Sequence, residues 1–373
     1  MGTPVPVSER LVISVIVPAR NEEACLGACL SSLLEQSGAD QRESAQSMPV
    51  PRSARAGHSN IYPLVGSLTY EIIVVDDGST DRTRVIAESF PGVQVIDAGP
   101  LPPGWIGKNH ALAAGARQAK GNWLLFTDAD TVHKPGSLAR ALAEAQHNKA
   151  DLLSYSPEQE VHGFWEKTVM PVIFAELARK YPPSAVGDQA SNLAAANGQY
   201  LLISRAAYDR VGGHAAIASL LLEDVALARA VRNASLRIRF RYGGDAVRTR
   251  MYRSFEQLRE GWTKNLILLF PNAGTLAVWR TFEFLLVTAC LVVGGLSIAA
   301  GDWWHAVLYL LVPTATIARI ASAHFSWSAT LLGILGLPLF SYLLLRSRLR
   351  HAQGAVLWKG RTYAGGAGIK PVS

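Results

Sequence analysis

The sequence is poor in cysteine and in charge. Three cysteines among 373 residues leave an odd set, and charged side chains make up only 17% of the chain. Cys25 and Cys29 stand one helical turn apart inside an apolar pattern, not at a metal-ligand spacing, so they are expected as reduced packing residues and not as a zinc site or a disulfide framework. No basic segment followed by a short apolar core opens the chain. Met1 to Arg10 is mostly small and polar, which excludes a visible secretory signal and places the N-terminal half in the cytoplasm as an expectation. The net charge of +7 suits nucleic acid or an anionic membrane surface. The last hundred residues are the richest in apolar side chains, which favours the membrane and argues against a nucleic-acid partner.

Two runs carry an apolar stretch straight into paired carboxylates: Val74-Val75-Asp76-Asp77-Gly78 and Phe126-Thr127-Asp128-Ala129-Asp130. A strand ending this way sets charge at the carboxyl edge of a parallel sheet, where α/β proteins open their ligand crevice. Leu11 to Val17 gives a first strand, stopped by Pro18, and Asn21 to Leu34 an amphipathic helix. Further strands are expected at Glu71–Val75, Val93–Ile96, Trp123–Thr127 and Gln199–Ser204, with helices at Asp81–Phe90, Asn109–Lys120, Ala206–Val211 and Glu223–Arg232. Such alternation predicts a doubly wound, mostly parallel, Rossmann-like α/β sheet with right-handed crossovers. Arg237, Arg239 and Arg241 alternate with Ile238 and Phe240, the pattern of an edge strand with one charged face. Residues 1–10 read as a tail. The stretch from about Gln36 to Tyr70 has no periodicity and reads as a long mobile insertion within a soluble domain over residues 11–260.

Beyond it, residues 261–280, interrupted by Pro271, read as interfacial. Phe282 to Ala300 is long enough to cross a hydrocarbon core of about 30 Å, with Trp303 and Trp304 as an interfacial belt. Ser328 to Leu345 is a second candidate span. Ala306 to Ile320, which holds Pro313 and Arg319, stays open between spanning and re-entrant, so residues 281–346 hold two or three spans and 347–373 form a basic tail. Three crossings from a cytoplasmic domain put Arg346, Arg348 and Arg350 outside, against the positive-inside rule.

The chemistry follows from the edges. Asp128 and Asp130 can share a hard cation, Mg²⁺ or Mn²⁺, that also takes diphosphate oxygens; an isolated Asp-x-Asp is otherwise a turn or cap. Asp76 and Asp77 can accept hydrogen bonds from a base or ribose. Pro18, Arg20, Asn21 and Glu22 supply the neighbouring edge, and Lys108 near a helix start suits phosphate. Glu223-Asp224, after an apolar run and before a helix, offers a carboxylate to take a proton from an acceptor hydroxyl. Arg259 can pair with diphosphate and Trp262 can stack on a sugar or lipid, though an interfacial anchor explains both. Val161 to Tyr181, with Phe164, Trp165, Met170 and Phe174, reads either as a lipid-facing acceptor wall or as core packing.

In order along the chain, Val15-Ile16-Val17-Pro18-Ala19-Arg20-Asn21-Glu22-Glu23, the run at 74–81, Asp128-Ala129-Asp130 and Glu223-Asp224 resemble the family 2 glycosyltransferases. That resemblance implies a GT-A fold and a metal-dependent, inverting transfer from a nucleotide sugar, a UDP-sugar first. It implies nucleotide contact by Asp77, metal and diphosphate contact by Asp128 and Asp130, and Asp224 as the base. Gly104-Trp105-Ile106-Gly107-Lys108-Asn109, Asn197-Gly198-Gln199 and Gly261-Trp262-Thr263-Lys264-Asn265 look like the hopene-associated group. They add Gly198 and Gln199 to the acceptor and diphosphate side and imply a multi-pass inner-membrane enzyme with a lipid acceptor: a hopanoid first, then polyprenyl phosphate or a glycerolipid. The tail block Trp358-Lys359-Gly360-Arg361-Thr362-Tyr363 is expected on the cytoplasmic side. Gln257, Arg259 and Trp262 lack the Gln-x-x-Arg-Trp spacing of processive synthases. A sugar-phosphate nucleotidyltransferase is disfavoured because Pro18 to Glu22 is not a basic, Gly-rich loop.

Overall fold

The computed structural model describes residues 10–38, 62–65, 68–354, 356–358 and 361–363. In chain order the elements are β1 (Arg10–Ala19), α1 (Leu26–Leu34), β2 (Tyr62–Val65), β3 (Leu68–Asp76), α2 (Thr83–Glu88), β4 (Gln94–Asp97), α3 (Gly107–Gln118), β5 (Trp123–Phe126) and β6 (Thr131–His133). Then come α4 (Ser137–His147), β7 (Leu152–Ser156), β8 (Glu158–Gln159), α5 (Phe164–Lys180), α6 (Pro183–Gly187), β9 (Leu201–Ser204), α7 (Arg205–Arg210), α8 (Glu223–Asn233), β10 (Ile238–Tyr242) and β11 (Val247–Thr249). The chain closes with four helices, α9 (Phe255–Leu269), α10 (Ala273–Ala299), α11 (Trp303–Ala321) and α12 (Trp327–Ala352), and a hairpin of β12 (Val356–Trp358) and β13 (Arg361–Tyr363). Two compact units result. One is Met1–Glu158 with Pro183–Thr249, the other Gln159–Pro182 with Arg250–Ser373.

The first unit is built on a sheet in the order β10-β7-β9-β5-β1-β3-β2, with β4 also on β3. β1 runs parallel to β3 and β5, β4 parallel to β3, and β10 parallel to β7. This is the mostly parallel α/β sheet of a GT-A fold. Two strands break the parallel rule: β9 is antiparallel to both β5 and β7, and β2 is antiparallel to β3. Ile13, Val15, Ile16, Val17, Ile72 and Val74 are fully buried, which is why these strands read as apolar runs without alternation. β10 ends the sheet, and Arg239 and Arg241 both reach Glu144 on α4.

Several boundaries differ from the sequence reading. β3 starts at Leu68, and β2 lies within the stretch expected to be a mobile insertion, because Thr69 and Tyr70 are buried sheet residues. Residues 39–61 and 66–67 of that stretch lie outside the described residues. α1 starts at Leu26, not Asn21. Asn21 takes a left-handed backbone (φ 53°), and Asn21, Glu22 and Glu23 give their amide hydrogens to Ser79, Thr83 and Asp81. The start of the segment is therefore used to tie two loops together.

In the second unit, α10, α11 and α12 are long and apolar enough to cross a membrane. The middle segment, left open from sequence, is one continuous helix through Pro313. The segment expected to be interfacial, 261–280, is instead divided between α9 and α10 by a turn at 270–272. In α5 Val169, Met170, Val172 and Ile173 are buried as core residues, while Phe164 and Trp165 stay exposed. Glu176 on α5 is fully buried and meets Arg319 at 2.8 Å, Arg179 at 3.1 Å and Arg280 at 3.2 Å. Glu283 pairs with Arg280 and Arg319 and accepts from Thr316. Charges beside apolar helices are tolerated when neutralised this way.

Two outcomes are expected. A Cβ at Gly115 would lie 2.5 Å from Ile16 Cγ2 and 2.9 Å from Val75 Cγ2, so Gly115→Val should lift α3 off β1 and β3 and cost about 1–3 kcal/mol. Glu176→Ala leaves several guanidinium groups without their shared carboxylate and should cost about 3–5 kcal/mol. Unfolding of the detergent-solubilised chain measures both; an unchanged midpoint contradicts either.

Candidate functional site

Because β5, β1 and β3 are neighbours running in one direction, their carboxyl ends open on one edge. Asp77 N–H donates to Ala19 O at 2.9 Å and Thr127 N–H to Ile16 O at 3.1 Å, so both acidic runs are pinned to β1 as they leave the sheet. The Arg20 guanidinium donates to Asp77 O at 2.6 Å and stands 4.0 Å from its carboxylate. Asp76 turns its carboxylate back to accept from Ser79 N–H. Asn21 Oδ1 accepts from Thr80 N–H at 2.8 Å. Pro18 continues β1 opposite Val75, and Asn21 and Glu22 bind the loop after β3. Asp76, Asn21 and Glu22, expected to touch the donor, are thus engaged in shaping the edge, while Arg20 and Asp77 hold each other across it.

The second cluster is tighter. Lys108, at the start of α3, places Nζ 2.7 Å from Asp128 Oδ1 and 2.7 Å from Glu223 Oε1. Burial disfavours its charge, but the two carboxylates outweigh that and raise its pKa well above the usual lysine value. Asp224, next to Glu223 at the N-terminus of α8, accepts from Gly198 N–H at 2.9 Å and from Val225 N–H at 2.8 Å. Desolvation, with the like charge of Glu223, raises Asp224 to about 6. Gly198 sits over this group. A Cβ there would come 3.1 Å from Glu223 Oε1 and 3.3 Å from Lys108 Nζ. Lys108, Asp128, Gly198, Glu223 and Asp224, expected separately on the donor, acceptor and catalytic sides, are therefore brought together in one cluster.

A buried polar mesh supports the Asp128-Ala129-Asp130 turn from below. Thr131 Oγ1 donates to Asp128 O, Thr249 Oγ1 to Asp130 O and Thr127 Oγ1 to Gln199 O. His133 Nε2 lies 3.1 Å from Thr127 Oγ1, and burial pushes this imidazole down to about 3, so it is neutral. Cys29 packs under the same turn with its thiol pushed up to about 12, mainly by burial, in keeping with a reduced packing residue. None of Thr127, Thr131, His133 and Thr249 was singled out from sequence; their role depends on β6 and β11 pairing, which no local pattern announces.

Asp128 and Asp130 offer carboxylate oxygens, a donor set whose chemistry fits a hard divalent cation. Among the described residues no three His, Cys, Asp or Glu side chains converge on one point, so further ligands would fall to phosphate and water oxygens, as Mg²⁺ sites favour.

Two expected acceptor-side residues do not serve as predicted. Gln199 is buried, with Nε2 facing Thr249 Oγ1, and belongs to the mesh. Trp262 is 2% exposed; its Nε1–H points to Met170 Sδ and its ring packs against Phe174 and Tyr252, so it is not available to stack on a ligand. Arg259 lies in the second unit, its guanidinium over Phe255.

The residue most clearly missed is Asn109. Fully buried beside Lys108, its Nδ2 donates to Ile217 O, Ala218 O and Leu220 O at 2.8–3.0 Å, and Ile106 N–H adds a bond to Ala218 O. It clasps the segment that delivers Glu223 and Asp224 to the helix that delivers Lys108. Asn109→Leu strands those carbonyls and should cost about 1–3 kcal/mol, with faster amide exchange over residues 217–225 by mass spectrometry. Unchanged exchange there would contradict the clasp.

Residues 14–212 match the family described as Glycosyl transferase family 2. The chain is 30% identical over 258 residues to a 4,4'-diaponeurosporenoate glycosyltransferase of Staphylococcus aureus strain MRSA252, covering 68% of this chain and 60% of that relative. The matched span is thus about three fifths of the length of the curated relatives. Among solved structures it is similar to S. aureus TarS 1-349 in complex with UDP-GlcNAc, at 18% identity and TM-score 0.40, covering 68% of this chain and 63% of that one. It is also similar to the mannosyltransferase PcManGT of Pyrobaculum calidifontis in complex with GDP-Man and Mn2+, at 17% identity and TM-score 0.46, covering 93% and 90%. With the family matched across both acidic strand ends, this chain belongs to glycosyl transferase family 2.

Proposed function

We propose that the chain is a membrane-bound, inverting glycosyltransferase that moves a sugar from a nucleoside diphosphate sugar to a lipid acceptor. The observation that carries this reading is the bridge from Asp128 through Lys108 to Glu223, with Asp224 held open beside it by Gly198. One ammonium thereby joins a carboxylate suited to the donor diphosphate to the pair suited to the acceptor hydroxyl. Asp77 and Arg20 at the β1–β3 edge serve the nucleotide, a UDP-sugar first.

The reaction is a single displacement. The acceptor O–H gives its proton to Asp224 while its oxygen bonds to the anomeric carbon, and the bond from that carbon to the diphosphate breaks with its electron pair on the leaving oxygen. Attack from the opposite face inverts the carbon. No second carboxylate nucleophile is needed, unlike a retaining hydrolase. Held at Asp128 and Asp130, a divalent cation, Mg²⁺ or Mn²⁺, would neutralise charge gathering on the departing diphosphate. Lys108 supplies positive charge at the same place from the protein itself.

The acceptor is lipid on two supports. Three helices suited to a bilayer sit in one unit of the chain, and the S. aureus relative is named a 4,4'-diaponeurosporenoate glycosyltransferase. An isoprenoid with one polar group is the class, and a hopanoid is the specific candidate from the 104–109 and 261–265 runs. The setting is the inner membrane, multi-pass, with the acidic site in the cytoplasm where nucleotide sugars are made.

Asp224 must be ionised to act, so kcat/KM should be low in acid and rise through about pH 6 to a plateau. Lys108 lowers the pKa of Asp224, so Lys108→Met should move that limb to higher pH while weakening donor binding. Asp224→Ala should abolish transfer by a folded protein. Wild-type turnover by that variant, or a flat acid limb, would reject the base assignment.

A further inference from the structure

Three helices of the second unit are apolar enough to span, yet their contacts do not describe three crossings. α10 and α11 form an antiparallel hairpin. Glu283 meets Thr316 and Arg319, and further along Gly294 packs against Tyr309 and Leu310. Trp279 is 60% exposed near one end of the hairpin, and Trp303 and Trp304 are 66% and 71% exposed at the other. From Trp279 to the end of α10 at Ala299 the helix rises about 30 Å, the thickness of a hydrocarbon core, so the tryptophans mark the two interfaces. Arg280 and Arg319, with buried Glu176, lie at the near level.

α12 stays at that level. Near its start, Gly333 lies against Ile320 in the last turn of α11. Its later half is bonded to residues that precede Trp279. Ser341 Oγ donates to Ala277 O at 3.0 Å, and Ser347 Oγ donates to Thr263 O at 2.7 Å and accepts from Ile267 N–H at 3.0 Å. His351 Nε2 lies 2.9 Å from Lys264 O, and Arg348 sits against Gly274. The chain thus leaves on α10, returns on α11, and ends α12 beside the segment from which it left. Both ends of α12 are on one side, whichever way up the hairpin stands.

We propose that α12 is an interfacial helix and not a third crossing, and that its ligand is the headgroup and upper acyl layer of the near leaflet. Leu331, Leu335, Tyr342, Leu345 and Leu349 form an exposed apolar stripe on a helix whose other face is buried in its own unit, and Arg348 and Arg350 close it with positive charge for lipid phosphates. Two crossings put the Arg346 to Arg350 cluster on the same side as α9, as the positive-inside rule requires of a cytoplasmic α9. The inference rests on the membrane reading above.

Single cysteines at Glu256→Cys, Ala300→Cys and Gln353→Cys, in the full chain with the three native cysteines replaced, test it by labelling sealed vesicles of known orientation with an impermeant maleimide. Residues 256 and 353 should label from one face and residue 300 from the other. Residue 353 labelling together with 300, from the face opposite 256, would establish three crossings and overturn the proposal. All three labelling from one face would mean that the hairpin itself does not cross, which overturns the membrane reading as well and is told apart by residue 300. Asp302→Cys and Ala352→Cys repeat the test should a first variant fail to insert.

Discussion

The ion bridge at Lys108 is the constraint on which the rest of the first unit depends. A lysine between two carboxylates at 2.7 Å each fixes the start of α3 against both the turn after β5 and the start of α8. Each partner is positioned by separate means. α3 is seated by the missing side chain of Gly115, the β5 turn by the Thr127, Thr131 and Thr249 mesh, and α8 by the Asn109 clasp on the segment before it. Gly198 leaves the space above the bridge free and supplies the amide that orients Asp224. Charge, packing and backbone hydrogen bonds thus converge on a few ångströms around Lys108.

The second unit solves a different problem with similar means. Helices that suit lipid cannot carry loose charge, and Glu176, Arg280, Glu283 and Arg319 neutralise one another at one end of the α10–α11 hairpin. α5 contributes the fully buried member of that set although it precedes α10 by some ninety residues of chain. A segment from the middle of the sequence is therefore built into the same unit as the C-terminal helices.

Much of this was legible in the sequence, and the failures have physical reasons. β1, β3 and β5 could be read because strands covered on both faces leave unbroken apolar runs, and the acidic residues that follow mark where those runs leave the sheet. Lys108 and Glu223-Asp224 do lie at helix starts, as their positions after loop and apolar runs suggest. Gln199 and Trp262 were misjudged because burial is decided by partners remote in sequence, Thr249 for one and Met170 for the other. Asp76, Asn21 and Glu22 look like ligand groups but are engaged by the Ser79 to Thr83 loop, a contact set by chain topology. β2 hid in a polar, irregular stretch because an edge strand needs only its partner's hydrogen bonds. α12 reads as a candidate span because it is long and apolar, and half of its apolar window is buried within the protein, which hydropathy alone does not register.

The proposed reaction is transfer from a nucleotide sugar to lipid at the Lys108 bridge. Its most direct test is to reconstitute the purified chain in vesicles containing extracted membrane isoprenoids, supply radiolabelled nucleotide sugars, and partition the products. Label is expected in the organic phase with the wild-type chain and none with Asp130→Ala. Label confined to water-soluble product, or undiminished lipid label with that variant, would contradict it.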